Sequence, residues 1–243
     1  MTFTKSNNQT VLITGSANRI GKGIALKLAG LGYNIALHHN NSREAALKTA
    51  AEIKRKGGHC EIFAADLGDE QETKALIPAV TAKMPRLTLL INSASIFEPS
   101  RLISLDLDNW NRHFSINLKT PYILTSLFAN ICKKGHIINI LDTNITKNKT
   151  SYFAYLLSKK SLHELTKLSA VALAPQIRVN AIAPGLILPP AGQKTNYLDR
   201  LAKQVPLKRK GEISNITHSV KFLIENDYLT GQVLFNDGGE HLL

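Results

Sequence analysis

Apolar runs recur along the chain at 10–14, 33–38, 60–64, 87–92, 136–141, 177–183 and 232–236, and longer segments with helical periodicity separate them. Short runs rich in Val, Ile and Leu between such segments read as strands. Regular alternation of strand and helix predicts an α/β fold, a doubly wound parallel sheet of about seven strands with right-handed crossovers and helices on both faces. Ligands of such sheets bind beyond the carboxyl ends of the strands. Gly15, His38, Asp66, Asn92, Asp142 and Pro184 all fall at those ends, so the pattern predicts one site. Between Leu186 and Glu212 the pattern breaks: Pro189, Pro190, Gly192 and Pro206 make 186–212 read as a long irregular loop, and loops of that length are commonly functional.

At 243 residues and 44% hydrophobic content the chain can bury a large core, and we expect one domain over 1–243. No stretch approaches the ~20 apolar residues of a membrane span. Met1 to Asn8 lack the apolar region of a signal peptide, so a cytoplasmic protein with no membrane partner is expected. Cys60 and Cys132, far apart, read as free thiols. The net charge of +12 is spread over small groups such as Lys54-Arg55-Lys56 and Lys208-Arg209-Lys210, without interleaved aromatics. That favours a basic surface attracting small anions over a nucleic-acid partner. The histidines include no i, i+4 pair, and no metal site is expected.

Two local patterns carry chemistry. Thr10 to Ile13 lead into Thr14-Gly15-Ser16-Ala17-Asn18-Arg19-Ile20-Gly21, a strand, a glycine turn and a helix start. Such a turn lets the backbone approach a pyrophosphate, and the free N–H groups of the helix start favour an anion. Further on, Tyr155 and Lys159 lie one helical turn apart, and Asp142 ends an apolar run thirteen residues before the tyrosine. A phenol with a pKa of about 10 is expected to donate a proton near neutral pH only where a cation lowers that value, a part assigned here to Lys159.

With these pieces, Asp66-Leu67, Asn92-Ser93-Ala94-Ser95, Asn117, Val179 to Gly185 and Asp237-Gly238-Gly239 fall in the order of the short-chain dehydrogenase/reductase family, which the chain resembles over nearly its whole length. The resemblance implies a Rossmann-type sheet, a catalytic set of Asn117, Tyr155 and Lys159, and a dinucleotide held by Gly15, Arg19, Ile20, Gly21, Asp66, Leu67, Asn92, Ala94, Ser95, Tyr155, Lys159, Pro184 and Gly185. It also implies a homotetramer built from helices such as 151–174, and a substrate-covering role for 186–212. Arg19 stands where most members carry glycine, and Asp142 where most carry serine. Both departures resemble pteridine reductases, including the bacterial dihydromonapterin reductases. Leu37 to Ser42, Phe97 and Tyr152 agree with them.

The end of the second strand, His38-His39-Asn40-Asn41-Ser42-Arg43, has no carboxylate for a ribose 2′-hydroxyl. His38, Asn41, Ser42 and Arg43 suit a 2′-phosphate, so the expected cofactor is NADPH. Asn41-Ser42 also reads as a turn and helix cap, and Asp66 as a cap for the following helix. Asp142 and Tyr155 are candidate proton donors. Phe97 is a platform for a flat pterin or a core side chain, and Asn117 is a water-holding amide or one satisfied locally. Arg19, Ser95 and Tyr152 are candidate contacts to pterin or phosphate. The expected activity is NADPH-dependent reduction of dihydropterins or dihydrofolate. The alternatives are a generic carbonyl reductase such as a 3-oxoacyl carrier-protein reductase, and a non-catalytic dinucleotide-binding regulator.

Overall fold

The computed structural model describes residues 8–190 and 196–243. Seven strands, β1 (Thr10–Ile13), β2 (Asn34–His39), β3 (Cys60–Ala64), β4 (Leu87–Asn92), β5 (Gly135–Ile140), β6 (Ile177–Pro184) and β7 (Val233–Asn236), pair in parallel in the order β3-β2-β1-β4-β5-β6-β7. Each coincides with one of the apolar runs to within a residue or two. Successive side chains leave a strand on opposite faces. Val11 and Ile13 therefore pack on one side with α1 (Arg19–Gly30), α2 (Arg43–Arg55) and α8 (Ile213–Glu225), while Leu12 packs on the other. That second face is covered by α3 (Glu70–Lys83), α5 (Thr120–Cys132) and α6 (Phe153–Leu173). The result is one Rossmann-type domain of three layers.

From β1 the chain winds outward through β2 to β3, then crosses to the other side of β1 and runs through β4 to β7. The reversal leaves a crevice between the carboxyl ends of β1 and β4. Thr14 fixes its floor: its buried hydroxyl accepts the N–H groups of Ser93 at 2.9 Å and Ala94 at 3.0 Å, so the two strand ends are tied together. Before α5 comes α4 (Leu107–Phe114), joined to it by a single π-helical turn, Ser115–Lys119, which carries Asn117.

The segment 186–212 is not irregular throughout, since it contains α7 (Asn196–Ala202). Leu198 and Ala202, one turn apart, are both buried, and helical spacing of apolar residues explains the element despite the flanking prolines. Gly192 and residues 1–7 lie outside the described residues. Among the described residues no helix is long and apolar enough to cross a membrane, and no cluster of His, Cys, Asp and Glu could hold a metal ion. Cys60 is buried at the start of β3 and Cys132 half-buried at the end of α5, both free.

Two histidines are interior groups. Burial pushes His38 down to about 4, and burial next to the Arg178 guanidinium pushes His136 down to about 3. Both are neutral in the native protein and take up protons near 6.5 once unfolded. Their contribution to stability is therefore complete above pH 6.5 and declines as pH falls from there toward their folded values. Urea denaturation at pH 7.5 and at pH 5 should show a loss at the lower pH of roughly 1–2 kcal/mol per histidine. Substituting His136 by Gln should reduce that difference.

Candidate active site

A cavity of about 950 Å³ opens at the crevice, lined on one side by Gly15, Arg19, Ile20 and Gly21 and across it by Ala94, Ser95, Phe97, Asp142, Tyr155 and Lys159. His38, Asp66, Leu67, Tyr152, Pro184 and Gly185 complete the part foreseen from sequence. Leu186, Ile187, Leu188 and Pro190, with Tyr197, Leu198 and Leu201 of α7, form the wall contributed by 186–212.

The glycine turn is packed too closely for side chains. A Cβ on Gly15, whose φ is +64°, would lie 2.9 Å from Ala94 Cα, and one on Gly21 would lie 2.4 Å from the Gly15 carbonyl oxygen. Arg19 also has a left-handed backbone, φ +54°, the conformation glycine adopts most freely. Its guanidinium donates to the Pro189 carbonyl at 2.6 Å and so ties the turn to the opposite wall. At the start of α1, Asn18 makes no side-chain cap and the first turn holds no acidic residue, which leaves the helix N-terminus open toward the cavity. His38 braces the turn from below. The Gly15 N–H donates to its Nδ1 at 3.0 Å and its Nε2 lies 3.1 Å from the Ala65 carbonyl, an arrangement that requires the neutral ring.

At the reacting end, the Tyr155 hydroxyl donates to Asp142 Oδ2 at 2.7 Å, and Lys159 Nζ donates to the Ile140 carbonyl at 2.8 Å, 6.0 Å from the centre of the tyrosine ring. Burial, then the Asp142 charge and its hydrogen bond, hold the Tyr155 phenol well above its ordinary range. This corrects the expectation that Lys159 lowers it: i, i+4 spacing places the cation near the phenol, but the carboxylate is the group in contact. Burial lowers Lys159 itself to about 8, against the pull of Asp142. Phe97 stacks on Tyr152 with centroids 4.2 Å apart at 11° and meets Tyr155 edge-on at 4.7 Å, yet remains 42% exposed. It is a wall of the cavity, not a core side chain.

Five foreseen residues do not line the cavity. Asn92 is buried in a ladder behind it, donating to Asn139 Oδ1 at 2.8 Å, while Asn139 donates to Thr166 at 2.9 Å. Asn117 spends its amide on protein partners. Its Nδ2 donates to the Ile96 carbonyl and Ser158 Oγ, and its Oδ1 accepts from Ser95 Oγ and the Ile96 N–H. The side chain therefore stitches the β4 loop to α6, leaving no donor for a water. Asn41, Ser42 and Arg43 lie just outside, exposed at the start of α2, and Asn40, the residue after β2, lines the cavity together with His38. Asn40 Nδ2 donates to Asp66 Oδ1 at 3.1 Å. Asn144, Lys147, Lys149 and Glu240 also reach the cavity without having been foreseen. Only their neighbourhood to Asp142 and to Asp237-Gly238-Gly239 pointed to them.

A family model described as Enoyl-(Acyl carrier protein) reductase matches residues 15–241. The chain belongs to this family, the short-chain dehydrogenase/reductases, which are oxidoreductases. Among curated relatives, 3-oxoacyl-[acyl-carrier-protein] reductase FabG of Staphylococcus epidermidis is 32% identical, with 97% of this chain and 100% of the relative covered. Among solved structures, FolM alternative dihydrofolate reductase 1 from Brucella canis complexed with NADP is 37% identical with a TM-score of 0.92, covering 99% of this chain and 97% of that one. The Brucella suis FolM in complex with NADP is 37% identical with a TM-score of 0.93, covering 97% and 96%.

The packing at Gly15 is directly testable. Gly15→Ala should lower the unfolding free energy by about 1–3 kcal/mol, because it adds a Cβ in the left-handed region against a neighbouring backbone. Gly30→Ala, in the last turn of α1 with no atom near its Cβ position, should instead gain about 0.5 kcal/mol. Denaturant midpoints of the two variants beside the parent check both signs.

Proposed function

We propose that this protein is an NADPH-dependent pteridine reductase that reduces dihydropterins or dihydrofolate to their tetrahydro forms. The observation that carries the reading is the Tyr155–Asp142 hydrogen bond beside the exposed Phe97 ring: a carboxylate where a carbonyl reductase has a hydroxyl, next to an aromatic platform. The 37% identity to FolM proteins solved with NADP supports it.

The residues present fit a dinucleotide. A glycine turn that excludes any Cβ, followed by a helix start without a side-chain cap or acidic residue, suits a pyrophosphate. The end of β2 offers amides and a guanidinium and no carboxylate, which suits a 2′-phosphate. In this reading Asn40 joins Asn41, Ser42 and Arg43 there, and Asp66 with Leu67 borders the adenine. When bound, NADPH supplies hydride to the carbon of a C=N bond. Tyr155 enters as the protonated partner, since burial and Asp142 keep its proton in place. Its O–H proton passes to the substrate nitrogen, and the Lys159 ammonium offsets the phenolate left behind. Asp142 Oδ2, already in contact with that hydroxyl, holds it in place for the transfer. The free area of Phe97 receives the flat ring. Ser95, Tyr152 and Arg19 border it, the last held by Pro189. Leu186 to Leu188 and α7, already a wall of the cavity, cover the substrate. Exposed Leu168 and Val171 on α6 support the expected homotetramer.

NADPH oxidation followed against dihydrobiopterin, dihydromonapterin, dihydrofolate and an acetoacetyl thioester tests the assignment, the thioester representing the FabG-like relatives. At least one dihydropterin or dihydrofolate should be preferred. Asp142→Ser should lower its turnover about 10²–10⁴-fold with little change in NADPH binding, and Tyr155→Phe at least as much. A thioester turned over far better than any pterin, or an Asp142→Ser variant with parental turnover, sinks the reading.

Cofactor choice is tested separately. NADPH should bind more tightly than NADH, charge-assisted hydrogen bonds being worth roughly 1.5–3 kcal/mol each. Asn40→Asp, which puts a carboxylate at the β2 end inside the cavity, should narrow or reverse that preference by fluorescence titration. Equal affinities in the parent contradict the 2′-phosphate site.

A further inference from the structure

Three donors converge on the Asp142 carboxylate. Oδ2 accepts the Tyr155 hydroxyl at 2.7 Å, and Oδ1 accepts both the backbone N–H and the side-chain Nδ2 of Asn144, each at 2.7 Å. A free carboxylate turns about its last bond in a broad, nearly two-fold well, so nothing in its own chemistry selects the oxygen that meets the phenol. Two donors fixed on one oxygen make that selection. The same contact settles the amide's orientation, because turned over it would set its oxygen against Asp142 Oδ1. Held this way, Asn144 Oδ1 is buried without a hydrogen-bond partner among the described residues. Packing alone gives no reason to accept that loss.

We infer that Asn144 is a positioning residue for proton transfer, its side-chain amide holding Asp142 so that Oδ2 alone faces Tyr155 and the substrate nitrogen. The inference rests on the pteridine-reductase reading for its substrate, whereas the contact belongs to the chain itself. The other charged groups around the pair are committed elsewhere. Lys159 of α6 donates to Ile140, Lys147 pairs with Glu240 at 3.2 Å, and Asp237 is taken by Thr143, Gly239 and His241. Lys149 lines the cavity from an exposed position.

Two variants test the clamp. Asn144→Leu removes Nδ2 and keeps the backbone N–H, and should lower kcat for a dihydropterin about 10-fold with the KM for NADPH and the unfolding midpoint nearly unchanged. Asn144→Asp keeps the shape but replaces the donor by an oxygen, and at pH 8 should lower kcat by about 100-fold. As pH is lowered toward 5, the Asp variant should recover relative to the parent. Two facing carboxyl groups share one proton, and that proton restores a donor toward Asp142. Equal kcat in all three proteins, or an Asp variant whose profile runs parallel to the parent's, overturns the inference. Carbon-13 NMR of ligand-free, aspartate-labelled protein separates it from the substrate assignment. The Asp142 carboxyl resonance, identified by its loss in Asp142→Asn, should move in Asn144→Leu. An unmoved resonance overturns the clamp whatever the activity. A moved resonance in a protein that reduces no dihydropterin leaves the clamp standing and removes the substrate reading.

Discussion

A buried phenol donating to a half-buried carboxylate is the interaction on which the arrangement of this site turns. Tyr155 and Asp142 come from different elements, one from α6 and one from the end of β5, and their bond closes only if both supports are rigid. On the tyrosine side, Ser158 is the anchor: its hydroxyl donates to the Tyr155 carbonyl at 2.6 Å and accepts from Asn117, which in turn grips Ile96. The π-turn thus fixes α6 against the β4 loop, and with it the wall carrying Phe97. A side chain that does not line the cavity thus fixes how two parts of one wall meet.

The carboxylate side is held by the chain's last residues. Asp237 accepts from the Thr143 hydroxyl, from the N–H groups of Gly239 and His241, and from His241 Nδ1 at 2.9 Å. Burial works to raise this carboxyl, and the donors together outweigh it and hold the group below its ordinary range. Thr143 directly follows Asp142, and Lys147, four residues on, pairs with Glu240. The turn after β7 therefore works as a strap over the 3₁₀ turn Thr143–Thr146. Gly239, at φ +88° against Pro206, extends the same packing to 186–212. Asp237-Gly238-Gly239 thus braces the site from behind, while Glu240 and Leu243, just beyond it, reach the cavity.

Strand placement was legible because strands buried on both faces of a parallel sheet are short apolar runs, and the helical segments between them are longer and periodic. The helix within 186–212 was hidden by its flanking prolines, although Leu198, Leu201 and Ala202 carried helical spacing. Side-chain direction at strand ends was not legible. Whether Asn40 or Asn41 turns inward depends on the twist at the end of β2, and Asn92 points into the core because its neighbour Asn139 offers an acceptor. The sense of the Tyr155 shift was lost for a related reason: sequence spacing gives the cation on the same helix, while burial and the cross-element carboxylate appear only on folding.

Similarity to oxoacyl reductases and to FolM proteins at comparable levels is what a shared scaffold with few discriminating positions produces. The glycine turn, the crevice, Lys159 and the Asn117 stitch would suit any hydride transfer beside a tyrosine, so likeness at these positions does not choose between the two substrates. What separates a C=O from a C=N substrate is the protonation requirement. A carbonyl oxygen needs orientation and one proton as it becomes a hydroxyl, which a serine and a tyrosine supply. A ring nitrogen in a flat heterocycle also needs a platform, and gains from a charged group that holds the donor hydroxyl in place. In the pteridine-reductase reading Asp142 and Phe97 bring these two to one end of the cavity, within a scaffold otherwise common to the family, so two side chains and not overall resemblance favour that substrate class.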